Sequence, residues 1–180
     1  MNSEKITNTL LMQSLWFAAV IGAAENIPWI APLLLLLMLM TTIKTDKRVI
    51  VDLKLMLVAL LLGFILDTSW INLGWLEFAA NWPTPNHAPM WILILWTGLA
   101  LTLNHSLSWL QAHLFLAGLL GGISSPLSYL AASHFGAVTI TDTSGMWMIG
   151  IGAGWAVVLP LLLWLARQLR QLEQGAQAHV

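Results

Sequence analysis

The sequence predicts an all-α fold: a polytopic membrane helical bundle of six transmembrane helices with both termini cytoplasmic. Three observations lead there. Of the 180 residues, 58% are hydrophobic and only 8% charged, and the apolar runs reach lengths that soluble domains avoid. Six of these runs approach the roughly 20 residues, about 17 to 25, that a helix needs to cross a bilayer. Finally, the threading they impose puts Lys5, Lys44, Lys47, Arg48, Lys54, Arg167 and Arg170, all seven basic residues, on one side. Lysine and arginine accumulate in cytoplasmic loops, so that side is the cytoplasm.

The first span is expected at about residues 6–24 and ends at "ENIPW", because Pro28 would forfeit a hydrogen bond in a helix interior. The second, about 29–43, carries "PLLLLLMLMTTI" into the charged "KTDKR" at 44–48. The third, about 49–67, gives way to a loop rich in Trp, Pro and Asn that reaches residue 88, with "WINLGWLEF" read as an interfacial segment. The fourth is expected at about 89–109, the fifth at 113–132 and the sixth at 145–166, before the polar tail "RQLRQLEQGAQAHV". With no linker and no low-complexity stretch, residues 1–180 read as a single integral membrane domain. Tryptophans favour the membrane interface; Trp70, Trp75, Trp82, Trp91 and Trp147 mark the outer edge, and Trp16, Trp109 and Trp164 the inner. Trp96 and Trp155 fall deeper and are read as packing residues. A cleaved signal peptide over residues 1–24 is the competing reading, but Glu4 in its basic start favours a retained anchor.

Composition also removes function classes. A net charge of −1 without a basic patch leaves nothing to neutralise nucleic-acid phosphates. The absence of cysteine excludes disulfides, thiolate nucleophiles and Cys-ligated metals. His105 and His113 are eight residues apart, with no His-x-x-x-His or Glu-x-x-His spacing, so no metal site and no cofactor is expected. "GIS" at 122–124 has the Gly-x-Ser pattern of intramembrane serine proteases, but the sixth span offers no histidine base.

The polar residues inside this apolar chain are the handle on function, because such groups face the bundle interior or a water-filled cavity. "LTLNHSLSW" at 101–109 is the densest case. Counted from Pro89 at about 1.5 Å per residue, Asn104 and His105 lie roughly 22–24 Å into the fourth span. On a helix, Asn104 and Ser108 share a face, and His105 and Ser108 are neighbours. Gln13 and Ser14 of the first span, and Asp52 and Lys54 of the third, are expected at similar depth. The plainer reading is helix–helix glue, with interhelical hydrogen bonds of about 0.6 to 2 kcal/mol each. A second polar set gathers at the outer edge: Glu25, Asn26, Asp67 ending the third span, Ser128, Tyr129 and His134. No basic residue is expected there, so these acids need protonation, histidine, cations or solvent; Glu77 and Asp142 read equally well as solvated loop residues. Between the two sets, "GGISSPLSY" puts Ser124, Ser125 and Pro126 near mid-membrane. There they are expected to interrupt or kink the fifth helix, as happens where helices line a cavity.

"DTSWINLGWLEF", "LTLNHSLSWL" and "GGISSPLSYLAASHFGAV", in this order and spacing, resemble the small bacterial inner-membrane proteins grouped as domain of unknown function 2878. The resemblance covers the spanning region from "LWFAAVIGAAENIPW" through the sixth span. It implies a multi-pass protein of the inner membrane of a Gram-negative-type bacterium, and it carries over no catalytic or ligand residues.

Three functions compete. In the first, the helices enclose a pocket that binds or processes an apolar, lipid-derived molecule, lined from Asn104, His105, Ser108, Asp67, Glu25, Ser124, Ser125 and Tyr129. Apolar walls with a few placed polar groups suit such a ligand. In the second, the same polar groups mark a path for a small solute or a proton-coupled cation. In the third, the chain is an accessory subunit of a membrane enzyme. Membrane lipids are the expected partners; oligomeric state stays open.

Overall fold

A computed structural model describes residues 3–45 and 49–177; Lys47 and Arg48, used above for orientation, lie outside the described residues. Six helices follow one another: α1 Ser3–Ala24, α2 Ile30–Thr45, α3 Val49–Asn72, α4 Met90–Leu103, α5 Leu114–His134 and α6 Met146–Gln177. Four of them, α1, α3, α5 and α6, are long and apolar enough to cross a membrane. At 1.5 Å per residue, α2 and α4 measure only about 24 and 21 Å against a core of about 30 Å. Exposed leucines, isoleucines and phenylalanines clothe the bundle's outside, among them Ile50, Phe115 and Ile123. A face this apolar suits hydrocarbon rather than water.

The helices pack in two groups. The α5–α6 pair is the tightest, α3 joins α4 and α6, and α1 lies on α2 and α4. Small residues set the first contact: a Cβ added to Gly121 would lie 2.7 Å from the Trp155 carbonyl oxygen. Close backbone approach of this kind drives helix association where lipid competes for apolar surface. It also explains why α5 is unbroken from 114 to 134 with Pro126 inside it, against the expected interruption. The proline is buried on the α6 side, close to Gly152, and neighbouring helices support a proline-bearing span at this depth.

Two boundaries also differ from the sequence reading. α3 continues through Asp67 to Asn72, because "DTSWIN" contains no residue that stops a helix. α4 ends at Leu103, not at 109, and a 3-10 turn at Ser108–Ala112 leads into α5. Here the polar side chains compete with the helix for backbone groups. The N–H groups of His105 and Leu107 both turn back to the Thr102 carbonyl at 3.0 and 2.9 Å, Ser108 Oγ donates to the His105 carbonyl, and Gln111 Nε2 donates to that of Leu103.

One element departs from the all-helical expectation. β1 (Leu76–Phe78) pairs antiparallel with β2 (Val138–Ile140), Glu77 opposite Thr139, so the expected interfacial segment is in part a ribbon. Leu76, Phe78 and Val138 point inward while Glu77 and Thr139 are exposed, the two-residue alternation of a half-buried strand. The ribbon closes one end of the bundle, where Phe78 meets the rings of Trp91 and Tyr129.

Candidate functional site

α1 and α5 scarcely touch, and between them runs a groove of about 550 Å³ floored by α4 and α6. Gln13 and Phe17 on one lip and Leu120 and Ser124 on the other are exposed, so the groove opens sideways at the bundle's periphery. One bridge crosses it: Trp16 Nε1 donates to Ser128 Oγ at 3.0 Å. The Trp16 ring also stands edge-on to Phe135, just beyond the end of α5. Leu95, Leu99, Leu110 and Leu159 make the walls apolar.

Behind the groove wall formed by Trp96 and Tyr129 sits a polar cluster around Asp67, which is fully buried. Tyr129 donates its hydroxyl to Asp67 Oδ1 at 2.5 Å, and Trp96 Nε1 donates to Oδ2 at 2.7 Å. Three helices thus meet at one carboxyl group. Trp96 is held further by stacking on Trp155, ring centroids 4.4 Å apart. It also fits over Gly63, where a Cβ would lie 2.3 Å from its ring. One neighbouring group, the buried Ser125 Oγ, has no hydrogen-bond partner among the described residues. A buried polar group left unpaired costs about 1–3 kcal/mol, and Ser125 lines the groove.

A second polar cluster occupies the opposite end of α3, where Asp52 stands 15 residues, about 22 Å, from Asp67. Asp52 Oδ1 accepts from Asn104 Nδ2, and Oδ2 accepts from His105 Nε2, both at 2.9 Å. Asn8 of α1 donates to the Leu101 carbonyl and accepts from Ser106 Oγ at 2.6 Å. Lys5 Nζ donates to Ser108 Oγ at 3.2 Å. Asn104 and His105 border a polar cavity of about 380 Å³ together with Lys5, Asn8, Lys44 and Arg170.

The expected site residues therefore divide. Ser124, Ser125 and Tyr129 line the groove with Asp67 bonded behind Tyr129, and Asn104, His105 and Ser108 belong to the other end. Glu25 joins neither; it is exposed in the turn after α1. Gln13, Ser14 and Lys54 are likewise exposed, because α1 and α3 turn Asn8 and Asp52 inward instead. Asp142 is more than a solvated loop acid. It accepts from the Ser144 hydroxyl and from the N–H groups of Ser144 and Trp147, and so holds the start of α6. Those bonds, the Ser144 hydroxyl foremost, keep its carboxyl below the ordinary range. Trp96, Asn8 and Gln111 were missed as polar partners. The available signal for Asn8 was a lone amide near the start of a span; nothing in the sequence distinguished the Trp96 N–H from a packing ring.

No curated protein and no solved structure matches this chain. The family model described as "Protein of unknown function (DUF2878)" matches residues 5–161, and the chain belongs to that family.

Proposed function

We propose that the α1–α5 groove binds, or presents for reaction, an apolar lipid-derived molecule whose polar end is a neutral oxygen such as a hydroxyl or carbonyl. The observation that carries this reading is a sideways-open apolar groove with a buried, unpartnered hydroxyl at Ser125. A ligand oxygen there would accept from the Ser125 hydroxyl. No Lys or Arg lines the groove among the described residues, and the Asp67 carboxyl lies behind its wall, so a phosphate headgroup would be repelled where an uncharged oxygen is not. The reading places the chain across a bacterial inner membrane with six spans and both termini in the cytoplasm. The convergence of Lys5, Lys44 and Arg170 on one cavity supports this orientation. Transport draws less support: between Asp52 and Asp67 the buried face of α3 consists of Leu55, Ala59 and Gly63, with no polar relay.

The test is native mass spectrometry of the protein extracted in mild detergent. One neutral lipid class should remain bound to the wild type and be lost from Ser124→Trp, which fills the groove from its exposed lip. An unliganded wild type, or the same lipids on both proteins, overturns the reading.

A further inference from the structure

We propose that the polar cavity between the ends of α1, α2 and α6 and the segment after α4 is a second binding site, one that takes a phosphate group. Its lining carries Lys5, Lys44 and Arg170 against the single carboxylate of Glu4. This excess of basic over acidic side chains in the lining suits a phosphate group. These cations come from three different helices. A cytoplasmic excess of Lys and Arg needs only the right side of the membrane; it does not need them to ring one concavity, and exposed Lys54 on the same end shows the ordinary alternative.

The neutral side chains fit the same purpose. Asp52 bonds Asn104 through one carboxyl oxygen and His105 through the other, which fixes both of these cavity-lining side chains to α3. Asn8 is fixed by Leu101 and Ser106, and Ser108 positions Lys5. A guanidinium with ammonium groups around it binds a multivalent anion through several charge-assisted bonds at once. The phosphate can belong to a lipid headgroup or to a soluble compound, and the site is independent of the groove.

The experiment uses the full chain in nanodiscs of zwitterionic lipid. Thermal unfolding is followed with added inorganic phosphate or pyrophosphate, and separately in nanodiscs that contain phosphatidic acid. A rise in Tm with the soluble anions assigns the site to a free phosphate compound; a rise only with phosphatidic acid assigns it to a headgroup. In either case Lys5→Gln and Lys44→Gln should each weaken the apparent affinity by about tenfold, the loss of one charge-assisted contact, while Lys54→Gln leaves it unchanged. No Tm response to any of these phosphates overturns the proposal. So does an equal loss in Lys54→Gln, which would mean a diffuse basic face.

Discussion

Replacing Tyr129 with Phe removes one hydroxyl and little else. The ring keeps its edge-on contact with Trp70, 5.5 Å between centroids, and its packing on Phe78. What disappears is the bond to Asp67 Oδ1, in a site where Asp67 is fully buried and Tyr129 only 7% exposed. Water cannot take the place of the lost donor, so the carboxyl oxygen is left unpaired at a cost of about 2 kcal/mol. For a chain of this size that corresponds to a fall in Tm of roughly 4–8 °C. Thermal unfolding in mild detergent measures it, and a double-mutant cycle gives it meaning. In an Asp67→Leu background the hydroxyl has no carboxyl to bond, so Tyr129→Phe should cost less than about 0.5 kcal/mol. Equal losses in both backgrounds would refute the reasoning, since the hydroxyl would then act through something other than Asp67.

Gly63→Ala should destabilise by about 1–3 kcal/mol, because its Cβ meets a Trp96 ring that Asp67 and Trp155 prevent from retreating; Tm and the near-ultraviolet circular dichroism of the stacked indoles report it. His105→Ala should cost about 1–3 kcal/mol by leaving Asp52 Oδ2 without its donor, and His105→Gln should recover part of that loss in the same unfolding assay. Asp142 has a depressed pKa, so its contribution is fully present above the unfolded value of about 3.9 and is lost as pH falls through the lower folded value. The Tm gap between wild type and Asp142→Asn should therefore be constant near neutral pH and close below about pH 4; a gap that widens on acidification contradicts the sign. A reporter active only in the periplasm should give signal when fused after Pro85 and none when fused after Lys44, and the reverse pattern would invert the orientation.

Much of the architecture was legible because hydrocarbon imposes a simple rule: long apolar runs become helices, and six runs became six helices. Their ends were less legible. Stopping α4 at Leu103 depends on Asp52, Asn8 and Gln111 arriving from elsewhere to satisfy side chains and carbonyls at 101–108, and no local rule announces that. The continuity of α5 through Pro126 has the same character, since the support comes from α6. The ribbon was hidden by the shortness of its three-residue strands, although "LEF" and "VTI" carry the alternation. For the polar groups, rarity was the useful signal. It singled out Asn104, His105, Asp67 and Tyr129, but which of these meet is a property of helix rotation. A half-turn of α3 or α5 about its axis would have separated Asp67 from Tyr129 without changing any pattern in the sequence.

The groove can be interrogated in the membrane itself. A photoreactive amino acid placed at Leu99, on the groove floor, is activated in living cells and its adducts are identified by mass spectrometry, with exposed Ile123 on the lipid-facing side of α5 as the reference position. Residue 123 should capture the bulk phospholipids in proportion to their abundance, whereas residue 99 should capture predominantly one neutral, oxygen-bearing lipid class. Adducts at residue 99 that match those at 123, or no lipid adduct there at all, would contradict a selective groove.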